Sequence, residues 1–181
     1  MSRRWLACAL SVVLLAGSVA GCGSSGDVAA EKWASSVCSA VGAWQVTVAD
    51  LTRKANEGVA AAKSPQEART SLLALLGGAE TASEKARAGV VKAGIPDVGD
   101  GKKHADSLAK AIGVARDAYG KARKAVEGLA TDQDKTFYDG VAAAMETLKS
   151  EYKPESADPT KLSSPDLRKA FDSAETCKAK Q

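Results

Sequence analysis

The sequence predicts an all-α fold: an up-and-down four-helix bundle with a short additional helix at its C-terminal end. Three observations predict it. Apolar residues recur at steps of three and four along four long segments, which is the period of one helix face. Thirty-six of the 181 residues are alanine, the best helix former. No segment alternates apolar and polar residues between turn residues in the manner of a half-buried strand.

Helix one is expected to start near Asp27, a good N-cap residue. Its stripe is Trp33, Val37, Val41, Trp44, Val48, Leu51 and Ala55, with Cys38 on its flank. It is expected to fade around Asn56-Glu57-Gly58. Helix two opens at Ser64-Pro65-Gln66-Glu67, a capping box with proline at the first helical position. Its stripe runs Ala68, Leu72, Leu75, Ala79, Ala82, Ala86, Val90, and it stops at Gly94-Ile95-Pro96. Gly77-Gly78 lies mid-helix at a cost of roughly 1 kcal/mol per glycine, which implies a kink or a close helix crossing.

Asp97 to Gly101 forms a loop, with Asp97 or Asp100 the expected cap of helix three. That helix carries Leu108, Ile112, Ala115, Tyr119, Ala122, Val126 and Leu129. Its seven-residue repeat favours shallow crossing angles. Thr131-Asp132-Gln133-Asp134 ends helix three and caps helix four, whose stripe is Phe137, Val141, Ala144, Leu148 and Tyr152. Pro154 and Pro159 bound a polar loop. The last helix opens at Ser164-Pro165-Asp166 and carries Leu167, Phe171, Ala174 and Cys177. Short connections between long helices imply antiparallel neighbours.

Ahead of the bundle lies a targeting segment. Arg3 and Arg4 precede an apolar run from Trp5 to Ala16, too short for the roughly 20 residues of a bilayer span. Val19-Ala20-Gly21-Cys22 then resembles the bacterial lipobox. Small residues admit a signal peptidase, and the cysteine thiol takes a thioether-linked diacylglycerol. The alternative is an ordinary secretory signal with a coincidental cysteine; the polar linker that begins directly after Cys22 argues against it. The expected organisation is a lipoprotein signal peptide over 1–21, a lipid-anchored tether over 22–26 and the bundle over 27–181. The expected location is the extracytoplasmic face of the cell membrane. Ser2-Arg3-Arg4 leaves the export route open between the general and twin-arginine pathways. Gly23-Ser24-Ser25-Gly26 reaches at most about 14 Å, so the bundle would stand close to the membrane.

Without its signal the chain keeps 23 basic residues of the original 25, against 22 acidic ones, a net charge of +1. This gives no reason to expect nucleic acid as a partner. Cys8 leaves with the signal and Cys22 is taken by lipid. Cys38 and Cys177 remain in an oxidising compartment, where two thiols allow one disulfide. Two unpaired buried cysteines are the alternative. The single asparagine and two isoleucines beside so many alanines suit GC-rich codon usage and point to an actinobacterial source.

From Cys22 onward the chain resembles the small secreted lipoproteins of unknown function common in actinobacteria. The residues that carry the resemblance are Cys22 in its box, the spacing of Trp33, Cys38 and Trp44, the Gly94-Ile95-Pro96-Asp97 loop, and Ser164-Pro165-Asp166-Leu167-Arg168 with Cys177. The resemblance implies no activity and no functional residues.

Catalytic candidates are sparse. His104 is the only histidine, and no Glu-x-x-His pair offers the ligands of a di-iron bundle; a solvated or capping role suits it better. Asp97, Asp100 and Asp106 do not match a calcium loop, because glycines stand at the positions that need acids. No catalytic residue, metal or cofactor is therefore expected. Lys102, Lys103, Lys121, Arg123 and Lys124 make helix three locally basic, but Asp106, Asp117 and Glu127 interrupt them as on a solvated face. Trp33 and Trp44 share a face and are candidates to line a pocket between helices, against the simpler reading as bulky core residues among alanines. The functional expectation is a non-enzymatic envelope lipoprotein that binds a partner protein or cell-wall component. The alternative is a helical module for a small hydrophobic ligand.

Overall fold

Four long helices follow one another in alternating direction, each beside the one before it. They are α1 (Ala30–Ala61), α2 (Pro65–Ala93), α3 (Gly101–Glu127) and α4 (Asp134–Glu151). Two 3₁₀ turns, Pro154–Ala157 and Pro159–Lys161, lead to α5 (Pro165–Ser173) and α6 (Glu175–Lys178). The computed structural model describes residues 27–178; the expected signal peptide, the tether with Cys22 and the last three residues lie outside the described residues. The chain is an all-α bundle with short C-terminal helices folded back on α1.

The α1–α2 pair is built on small residues. Gly78 lies where a Cβ would fall 2.7 Å from Leu51 Cδ1, and Gly89 where one would fall 2.8 Å from Ala40 Cβ. The two axes therefore approach more closely than larger side chains permit, and the glycines of α2 mark a crossing, not a break. Gly58 likewise lies against Ser71. That packing carries α1 on to Ala61, beyond the expected fade at Asn56-Glu57-Gly58, because tertiary contacts outweigh a propensity cost of about 1 kcal/mol.

The Ser64 cap of α2 forms, with the reciprocal bond displaced by one residue. Ser64 Oγ accepts from the Glu67 N–H at 3.3 Å, and the Glu67 carboxylate reaches back to the Lys63 N–H at 2.8 Å. Gly94 ends the helix with a positive φ of 84°, which glycine adopts without Cβ strain. Its carbonyl accepts the Trp33 indole N–H at 2.9 Å, tying the end of α2 to the start of α1.

Four local expectations are corrected. Asp27 does not cap α1, and the chain is not free of strands. Asp27–Val28 (β1) pairs in parallel with Ile95–Pro96 (β2), and the Asp97 N–H donates to the Val28 carbonyl at 2.8 Å. The extended pairing holds Asp27 out of the helix, which begins only after Ala29. Asp100 occupies the N-cap position of α3 but makes no side-chain cap; its φ of 59° is a left-handed conformation that aspartate tolerates better than most. Gly101 follows because a Cβ there would meet the Pro96 carbonyl oxygen at 2.0 Å. The last helix is two helices: Ala174 is extended between α5 and α6, and this break turns Cys177 toward α1.

At 18 residues, α4 is about 27 Å long against about 40 Å for α3. It pairs with the last part of α3 and the turn after it, from Leu129 beside Gly140 to Tyr119 beside Tyr152, whose ring centroids are 6.2 Å apart. The rest of the fourth position in the bundle is filled by the 3₁₀ turns and α5. Leu167, Ala170 and Phe171 of α5 join Trp33, Val37, Leu108, Ile112 and Ala115 in the main core. Leu76, Ala122, Val126 and Ala144 form a smaller cluster toward α4. Cys38 and Cys177 are disulfide-bonded with Cα atoms 5.2 Å apart, inside the range such a bridge needs. The described residues thus close their own core.

Ala115 and Ala122 are buried where α3 faces its neighbours. Ala115→Leu or Ala122→Leu should overpack the core and lower stability by about 1–3 kcal/mol, read from urea midpoints. The disulfide links residues 139 apart. Replacing Cys38 and Cys177 together by alanine should lower stability by about 2–5 kcal/mol, and denatured, unreduced protein with Cys22→Ser should titrate no thiol beyond Cys8 where that residue is retained.

Candidate functional site

Trp44 stands where α1, α2 and the C-terminal segment meet. Its indole N–H donates to Ser83 Oγ at 3.0 Å, and the Ser83 hydroxyl donates on to the Ala79 carbonyl at 2.7 Å. Ser83 is fully buried, so the pair satisfies two polar groups that would be costly alone. On one side Trp44 packs against Tyr152 with ring centroids 6.2 Å apart, and Tyr119 extends that aromatic row. Burial pushes both phenols up from their ordinary range, for Tyr152 with help from Tyr119 and Glu155. Both stay neutral at physiological pH.

On its other side Trp44 borders a groove of about 480 Å³ between α1 and α2. Ser36, Ser39, Ala40, Ala43 and Thr47 line it from α1; Ala82, Lys85, Ala86, Gly89, Lys92 and Ala93 line it from α2. The groove follows from the seam itself. Where two helices meet through alanine and glycine, their outer faces leave a trough that long side chains would otherwise fill. Its floor is mostly carbon. Both charged residues in it are lysines, and neither is among the ion pairs of the described residues.

The opposite face of α2 is different. Glu84 accepts from Arg87 at 2.7 and 3.0 Å and from Arg116 of α3 at 2.7 Å. One helical turn earlier, Glu80 accepts from Arg123 at 2.9 Å. Glu80 fits because Gly120 of α3 has no side chain; a Cβ there would lie 2.7 Å from Glu80 Oε1. Hydrogen bonds from Arg87 and then Arg116 hold the Glu84 carboxyl down to about 2.

Of the two candidate pocket residues, only Trp44 borders a groove. Trp33 is 0% exposed and spans the core from Gly94 to Phe171, with ring centroids 5.9 Å apart. The two tryptophans share a helix face but not a cavity, because Trp33 lies under α5 and Trp44 lies at the α1–α2 seam. Of the groove-lining small residues, Ala82 and Ala86 were read from the sequence only as part of the helix-two stripe, and Ala40, Ala43, Ala93 and Gly89 were not singled out; small residues look alike whether they face a core or a trough. The basic residues of α3 are partly neutralised: Lys102 by Asp106, Lys121 by Glu151, and Arg123 by Glu80 and Glu127. His104 is half-buried in the first turn of α3. Among the described residues no three histidine, cysteine or acidic side chains gather as a metal would require, and no helix is long and apolar enough to cross a membrane.

The chain matches no protein-family model, no curated protein and no solved structure.

The Glu84 cluster makes a prediction about acid. A carboxyl held below its ordinary value of 4.5 stabilises the fold fully above that value and loses the contribution as pH falls toward 2. The difference in urea midpoint between wild type and Glu84→Gln should be largest near pH 6 and should shrink steadily between pH 4.5 and about 2. A difference constant across that window would mean that the ion pairs contribute nothing.

Proposed function

We propose that the protein is a cell-envelope lipoprotein of the kind it resembles, anchored at the extracytoplasmic face of the membrane by a diacylglyceryl group on Cys22 and acting by binding, not by catalysis. The observation that carries the reading is the Cys38–Cys177 bond. Structural disulfides form and persist in oxidising compartments, which is where the Val19-Ala20-Gly21-Cys22 box would deliver the chain. Placement of the anchor agrees with it. Asp27 is paired to Ile95 at one end of the bundle, and the five steps from Cys22 to Asp27 span at most about 17 Å. The end formed by the start of α1, the end of α2 and the start of α3 would then face the membrane. The long sides of the bundle would face outward, available to a partner protein or cell-wall component.

A second reading, a module for a small hydrophobic ligand, is favoured by one specific feature: the carbon-floored groove beside Trp44.

Anchorage is tested by changing Cys22→Ala and fractionating cells. The wild-type protein should sediment with membranes and carry the mass of a diacylglyceryl group on a chain that starts at Cys22. The variant should leave the membrane fraction. A variant that remains membrane-bound with an unchanged processed mass would overturn the reading.

A further inference from the structure

We infer that the α1–α2 groove binds a single-chain anionic amphiphile of the fatty-acid type, with its hydrocarbon along the Ala40, Ala43 and Gly89 floor and its acidic head at Lys92. The inference rests on the ligand-binding reading above and gives it a ligand class and a site. Three observations carry it.

Shape comes first. Ser36 and Thr47 mark the ends of the groove on α1 and are eleven residues apart, about 16 Å at 1.5 Å per residue. Spread over that length, a groove of about 480 Å³ is long relative to its width. An elongated trough of this length suits one extended hydrocarbon chain.

Chemistry comes second. The floor offers methyl groups, the Gly89 backbone and the edge of the Trp44 indole, with no acidic side chain among its lining residues. Val46 lies one heptad beyond Ser39 on the same side of α1 and is 64% exposed, which extends the apolar lip.

Charge comes third. Lys85 and Lys92 are the only ionised side chains in the lining, and neither has a carboxylate partner among the described residues. On the side of α2 that faces α3, by contrast, Glu80, Glu84 and Arg87 are engaged in ion pairs. In the antiparallel register set by Ala40 against Gly89, Ser36 comes opposite Ala93, so Lys92 and Ser36 line the same end of the trough. Lys85 flanks the middle of the trough, where a lysine stem covers apolar surface while its ammonium stays in water.

Tryptophan quenching by dibrominated stearate, kept below its micelle concentration, tests the proposal. The protein is the chain from residue 22 with Cys22→Ser, so the result is independent of whether Cys22 is lipidated in the cell. Bromine quenches on contact, and only Trp44 borders the groove; Trp33 is enclosed. Wild type should show saturable quenching that palmitate reverses. Trp44→Phe should remove the quenching while palmitate binding by calorimetry persists. Ala43→Phe places a ring in the groove from an exposed position, so helicity and thermal midpoint should hold while affinity falls at least tenfold. Lys92→Glu should weaken binding about three- to tenfold, and the uncharged methyl ester of the same probe should bind wild type no better than the acid binds Lys92→Glu. The proposal is overturned by quenching that does not saturate, by full affinity in a folded Ala43→Phe, or by equal binding of acid and ester. It is overturned equally if wild type sediments as a dimer that Ala43→Phe dissociates, which would assign the groove to a second copy of the chain.

Discussion

The closeness of α1 and α2 governs the rest of the bundle. Glycine and alanine at Gly78, Gly89 and Ala40 let the two backbones approach until a single added methyl would collide. Such a seam gains its energy from many short van der Waals contacts, not from large buried side chains. It also leaves a bundle with little apolar volume of its own. A few large residues then carry the packing: Trp33, Trp44, Phe137, Tyr152, Leu167 and Phe171 are all buried. Truncating any of the buried aromatic rings would cost more than removing several alanines, since Phe or Trp to Ala changes cost about 3–5 kcal/mol each.

The same constraint explains the C-terminal segment. α4 is too short to cover α3, so the upper half of the fourth position must be closed by something else. The 3₁₀ turns and α5 close it, with Leu167 and Phe171 packed beside Trp33. A segment of nine residues is a weak helix by itself. It holds because the Ser164 cap accepts from the Leu167 N–H, because its apolar face is buried, and because Cys177 ties the end of the chain to Cys38. Thr176 adds hydrogen bonds to Ser35. At the same end of α1, Trp33 to Gly94 and the β1–β2 pairing fasten the entry of the chain to the α2–α3 turn. Both chain ends of the bundle are therefore secured to α1.

The two faces of α2 divide the labour of the molecule. Toward α3 the glycines are covered by guanidinium–carboxylate pairs, with Glu80 seated over Gly120. Toward the outer side of α1 the small residues are left open, and the lysines there stand without acids. One helix thus presents a neutralised seam on one side and a cationic, carbon-floored trough on the other.

Periodicity in the sequence was enough to determine the class of fold, the four long helices and most of their buried stripes, because apolar spacing of 3.6 is imposed by each helix alone. The Ser64 and Ser164 caps and the Gly94 stop were equally legible, being local chemistry within a few residues. The pairing of Cys38 with Cys177 followed from counting. What local rules could not supply was anything that depends on a contact between distant segments: the two-residue ladder that displaces Asp27 from the start of α1, the break at Ala174, and the split fates of Trp33 and Trp44. Those two tryptophans are indistinguishable on a helical wheel. Tertiary structure alone put α5 over one and left the other at a seam, because the rotation of one helix about its axis relative to the next is set by how glycine and alanine interlock across the interface, and that complementarity exists only when both helices are in place.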